Sequence, residues 1–284
     1  PVAKATSYKV NTYGIYSVAK DDETVSILDE DFSNVNSSVT TVTDPLYPES
    51  MNNASETSLD NYTSMPGWTG CSNALAQGYL GCQALSYYLT PYIVTPKLNL
   101  SNAGTFDLSI DVVGYPGSAL NITVGGVTYT AEYDENGYIN GTFRNIPVPQ
   151  GEQFVNLRFT DSNNMNFMIN SVKVEQMLKK GDKVYTYVGC DEVNGNELSV
   201  NISGLDKFEY TDFAYNVSAK QLLEGETAIS SPSEFILVNL SNGTSTICIN
   251  TSDINSRGWI NDREVMSRYN MAGMKVSTTA KGLN

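Results

Sequence analysis

Within the stretch from Leu89 to Val124, residues Phe106 to Val112 alternate strictly. Phe106, Leu108, Ile110 and Val112 are apolar, and Asp107, Ser109 and Asp111 between them are polar. Successive strand side chains point to opposite sides, so a two-residue period marks a strand with one buried face. Leu120, Ile122 and Val124 repeat the pattern. Tyr92-Ile93-Val94 ahead of Pro96, and the pair Leu98 and Leu100, extend it upstream. Pro, Gly and Asn punctuate the runs with turn chemistry. No stretch carries the 3.6-residue period of a long amphipathic helix. The expected fold class is therefore all-β, built around an antiparallel sandwich.

Composition narrows the function more than it narrows the fold. The 284 residues suffice for two or three domains with their own cores, and 40 % hydrophobic residues mark a globular chain. Eighteen tyrosines among many Gly, Asn, Ser and Thr favour strands and turns. A net charge of −14 repels phosphate backbones, so nucleic acid is not an expected partner; the charge serves solubility or cation binding. No apolar run reaches the roughly 18 residues a bilayer span needs. Pro1 begins without a signal peptide, so a mature chain or a fragment is expected. There is no histidine, which removes the commonest general base, the usual zinc ligand and a Ser-His-Asp triad together. Cys71, Cys82, Cys190 and Cys248 show no C-x-x-C spacing. One or two disulfides and four buried free thiols both fit that set.

Residues 1–20 contain one clear strand, SYKVNTYGIY, followed by an acidic turn at Asp21-Asp22-Glu23. In SILDEDFS, strand alternation puts Leu28, Glu30 and Phe32 on one face. A carboxylate among hydrophobes needs a partner, a proton or a metal, unless it is solvated at the sheet rim. Residues 33–66 form a long polar loop, and PGWTG follows with Trp68 between two glycines. Trp68 fits either a core plug or a platform for a sugar ring. Cys71 and Cys82 bracket SNALAQGYLG, a loop short enough to be closed by a disulfide. Cys190 and Cys248 straddle an expected domain boundary. Asn136-Gly137 supplies the positive φ of a tight hairpin.

The order DEDFS, polar loop, PGWT, LTPYIVTPKLNLSNAGTFDLSIDV and NFMINSVKV resembles the jelly-roll modules of Bacteroidetes surface proteins, the cleaved-adhesin and galactose-binding-like domains. The resemblance covers residues 27–176. KVYTYVGCDEV, ELSVNISGL, YTDFAYNVSAKQ and SPSEFILVNL resemble the later strands of a fibronectin type III domain. The strand at 8–16 resembles an earlier strand of that domain, which implies a jelly roll inserted into it; a simple tandem is the other arrangement. Tyr269, Gly273, Val276, Lys281 and Gly282 resemble the C-terminal sorting domain of type IX secretion substrates, without its usual final strand. The expected units are an N-terminal strand (1–26) belonging to the fibronectin-like domain, a jelly roll (27–176), a fibronectin-like part (177–243) and a partial sorting domain (244–284).

These resemblances imply a secreted bacterial surface protein that binds glycan or another protein, anchored through its C-terminal region. The alternative is a spacer within a larger secreted hydrolase whose catalytic domain precedes Pro1. In a bacterial chain the Asn-x-Ser/Thr sequences at Asn61, Asn121, Asn201 and Asn242 read as chance. No carboxylate pair stands out as catalytic. Expected ligand-binding residues are Trp68, Tyr79, Tyr88 and Tyr115. Related jelly rolls hold a structural calcium between first and last strands, which implies Glu30 and Asn170 as Ca2+ ligands. Asn170 stands where many members carry Asp.

Overall fold

The computed structural model describes residues 5–40, 48–84, 89–100, 104–149, 154–197, 199–205, 210, 212–223, 226–230 and 232–247, with two short strands at 268–269 and 275–276. Every long element is a strand, and no α-helix occurs among the described residues. The strands are β1 (Ser7–Ser17), β2 (Glu23–Glu30), β3 (Glu49–Ser50), β4 (Thr57–Ser58), β5 (Thr69–Cys71), β6 (Asn73–Ala76) and β7 (Tyr79–Cys82). Next come β8 (Tyr92–Val94), β9 (Thr105–Val113), β10 (Ala119–Val124), β11 (Val127–Glu132), β12 (Tyr138–Pro147), β13 (Leu157–Asp161) and β14 (Phe167–Leu178). The last are β15 (Lys183–Asn194), β16 (Asp212–Leu223), β17 (Glu226–Ile229), β18 (Ile236–Asn239), β19 (Thr244–Ile247), β20 (Arg268–Tyr269) and β21 (Lys275–Val276).

Two antiparallel sheets form a sandwich. One has the order β11-β10-β13-β8-β5-β4, the other β12-β9-β14-β7-β6-β3 with β2 added to β14. From β8 to β14 the chain repeatedly crosses between the sheets, so the inward residues of both meet in one core. Phe106, Leu108, Ile110 and Val112 are buried there beside Leu120, Ile122 and Val124, as their period requires. One expectation changes. The turn at Gly137 is tight, with φ of 82°, and Asp134 Oδ1 accepts from the N–H groups of Asn136 and Tyr138. It joins β11 of one sheet to β12 of the other, so it is a crossover turn and not a hairpin. The hairpin is formed by β10 and β11, where Gly125-Gly126 supply two successive positive φ values between Val124 and Val127.

A third sheet has the order β15-β1-β16-β18-β19, with β17 on β16. β1 pairs along one side with β15 and along the other with β16, and with no strand of the sandwich. The expected partnership of residues 8–16 with strands from 183–240 is therefore present. Tyr13, Ile15, Ala214 and Phe235 of this sheet pack with Phe154, which enters β13 of the sandwich. Phe154 and Phe235 have ring centroids 4.7 Å apart, and Tyr13 meets Phe235 edge-on at 5.0 Å. β20 and β21 pair with each other; Gly273, Lys281 and Gly282 lie outside the described residues.

Candidate functional site

The polar loop ahead of Trp68 is pinned by a buried carboxylate, Glu30, and a half-buried one, Asp60. Glu30, at the end of β2, is fully buried, in the phase its alternation with Leu28 and Phe32 demands. Its Oε2 accepts from the backbone N–H of Ser64 at 2.7 Å and the Ser64 hydroxyl at 2.8 Å, and its Oε1 accepts from the Phe32 N–H at 3.1 Å. Burial pushes its pKa up, and these donors oppose the shift. Asp60 accepts from the Gly67 N–H at 2.7 Å; burial raises its pKa too, against that bond and the Lys9 charge. Glu30 is thus a clasp for the loop, which corrects its placement at a solvated rim.

Trp68 follows this loop and is fully buried, edge-on to Phe32 at 5.4 Å. It is a core residue, which corrects its reading as a ligand platform: a ring with no exposed face cannot stack on a sugar. Tyr79 is half-buried on β7 and packs on Ala74, Ala76 and Met168. Tyr115 is half-buried in the turn after β9. Tyr88 lies outside the described residues.

Glu30 and Asn170 direct their hydrogen bonds to different partners, since the Asn170 amide donates to the Gly78 carbonyl at 3.1 Å. The groups facing Glu30 are N–H and O–H donors, which complement a carboxylate and oppose a cation. The expected calcium therefore rests on the jelly-roll resemblance and on the net charge of −14. Melting temperatures measured with calcium and with excess chelator test it: an ion bound to the folded state raises the first by linkage, and coinciding values overturn it.

The expected Cys71–Cys82 disulfide is not formed, and both residues are buried free thiols. Cys71 lies opposite Tyr92 on the outer side of its sheet, while Cys82 belongs to the sandwich core. Between them the chain changes sheets at Ser72, which has a φ of 54°. Cys82 Sγ is held by the Asn73 amide at 3.6 Å, and burial pushes its pKa far up. Cys190 is exposed, and Cys248 lies outside the described residues. In a Cys248→Ser variant a thiol reagent is expected to label one cysteine quickly, Cys190, and the other two only on unfolding; peptide mapping checks the order.

A groove of about 320 Å3 opens where the third sheet meets the sandwich. One wall is the outer face of the sandwich, with Thr69, Val94 and Arg158 in one row across β5, β8 and β13. The other wall is Tyr13, Asn216, Pro232, Ser233 and Phe235. Gly67 stands between them with φ of 104°, a left-handed value that favours glycine. A Cβ there would meet Pro96 at 3.3 Å and Pro232 at 3.4 Å, so the walls close on this residue. Lys97 and Glu234 form an ion pair across the rim at 2.6 Å. Behind the third-sheet wall, the Asn11 amide donates to Asn216 Oδ1 at 2.9 Å, and Asn216 hydrogen-bonds the Tyr13 hydroxyl, whose pKa burial raises strongly.

Arg158 is the cation of the sandwich wall. Its guanidinium carbon lies 3.6 Å from the centroid of the Tyr92 ring, a cation–π contact. Tyr92 is itself held, donating its hydroxyl to Glu56 Oε2 at 2.9 Å. Desolvation first, and Glu56 next, push that hydroxyl's pKa up to about 12, so it remains a donor. Glu56 is the one carboxylate lining the groove among the described residues. Trp68, Tyr79 and Tyr115 do not line it. Sequence reasoning missed this site. The alternation of Leu157, Arg158 and Phe159 marks Arg158 as outward, but its contact with Tyr92 depends on β13 pairing with β8.

No model of a known protein family matches the chain, and a search of characterised proteins finds no match.

Proposed function

We propose that the chain is a non-catalytic binding module that holds a glycan in the groove between the sandwich and the third sheet. The observation that carries this reading is the groove lining: a guanidinium fixed on a tyrosine ring beside a carboxylate, amides and hydroxyls, with prolines between them. Planar polar groups suit vicinal hydroxyls, and the prolines suit the C–H faces of a sugar ring. The volume falls at the low end of the roughly 300–1,000 Å3 of small-ligand sites. The single carboxylate that lines the groove among the described residues does not supply both the acid and base, or acid and nucleophile, of a glycosidase. The resemblance of residues 27–176 to adhesin jelly rolls supports a place on a bacterial surface, and that of Tyr269, Gly273, Val276, Lys281 and Gly282 to a sorting domain supports export by type IX secretion.

A glycan array followed by calorimetry tests the reading. Glu56→Ala and Asn156→Ala are each expected to weaken binding about tenfold, the worth of a polar contact left unpaired. Binding unchanged in both variants overturns the groove as the site. The spacer reading has its own support in the aromatic contacts of Tyr13, Phe154 and Phe235, which join the third sheet to the sandwich. An array without a bound glycan favours it.

A further inference from the structure

We infer that the glycan carries a single acidic sugar, whose carboxylate is received by Arg158. This rests on the groove being the glycan site. Among the described residues no carboxylate forms an ion pair with Arg158, although acidic residues outnumber basic ones 31 to 17. The other cation of the lining, Lys97, is engaged by Glu234. Stacking on Tyr92 uses the face of the guanidinium and leaves the N–H groups, which lie in its plane, to meet a ligand. That fork matches a carboxylate in two parallel hydrogen bonds, and the ring beneath holds it in one orientation before binding. A charge-assisted pair of this kind is about twice as strong as a neutral hydrogen bond.

The rest of the molecule limits how much negative charge the ligand can bring. A net charge of −14 repels a polyanion, and Glu56 stands on the same wall. The ligand that fits is an otherwise neutral oligosaccharide with one uronate, its remaining hydroxyls facing Glu56, Asn156, Thr69 and Ser233.

The test is calorimetry on the full chain with oligosaccharides ending in one glucuronate, galacturonate or mannuronate. Each is measured beside its carboxyl-reduced, neutral counterpart. At least one acidic form is expected to bind about tenfold more tightly than its counterpart. Arg158→Gln is expected to remove that preference, and Arg158→Lys to retain part of it, since lysine keeps the charge and loses the fork. The comparison of acidic with neutral ligand needs no variant, so it stands even if Arg158→Gln fails to fold. Equal binding of acidic and neutral forms overturns the inference and leaves the groove reading intact. A preference that survives in Arg158→Gln also overturns it. If no ligand of either kind binds, the inference fails, and the glycan array decides the groove reading separately.

Discussion

Replacing Trp68 by alanine is expected to lower the unfolding free energy by about 3–5 kcal/mol, the range for an aromatic ring removed from a closed core. The side chain is fully buried and meets Phe32 edge-on, so its loss leaves a cavity between the polar loop and both sheets. Trp68→Phe is expected to cost much less. Its indole N–H makes no hydrogen bond among the described residues, so the smaller ring gives up volume and no polar contact. Urea titration followed by far-ultraviolet circular dichroism measures both. A loss below about 1 kcal/mol in the alanine variant would mean that the ring packs loosely.

The second large effect concerns Glu30. Glu30→Ala strips acceptors from the Ser64 N–H, the Ser64 hydroxyl and the Phe32 N–H, and is expected to cost about 3 kcal/mol. Glu30→Gln keeps an acceptor oxygen and removes the charge, and so isolates the effect of pH. The folded-state pKa of Glu30 is raised, so the folded protein holds this proton more tightly than the unfolded chain. The contribution is fully present below the unfolded value of 4.5 and is lost as pH rises through the higher folded value. Wild-type stability relative to Glu30→Gln should therefore fall as pH rises across that window. Other carboxylates titrate alike in both proteins and cancel in the difference. Urea midpoints collected from below the window to neutrality would show the slope; a difference that rises with pH contradicts the clasp as described.

Glu30 also links stability to the groove. The loop it holds continues through Pro66 and Gly67, which line the groove, before it reaches Trp68. Loss of the clasp frees the residues that set the separation of the two walls.

The sequence by itself determined the all-β class and the inward set of the central strands. Strand side chains alternate, so Phe106 through Val112 could bury one face only as they do. The same parity placed Glu30 with Leu28 and Phe32, and the resemblance of 8–16 to a fibronectin-type strand pointed to its pairing with β15 and β16. Tertiary structure decided the rest, because it depends on which strands become neighbours. Asn136-Gly137 makes the same tight turn in a hairpin or a crossover, and only the sheet assignment of β11 and β12 separates them. Cys71 and Cys82 are close in sequence but sit on opposite sides of a sheet change at Ser72. Trp68 read as a plug or a platform until Phe32 packed against it and its ring was buried. The groove draws Arg158, Tyr13 and Phe235 from strands far apart in the chain. Alternation gives each side chain a face, whereas long-range pairing and packing choose what that face meets.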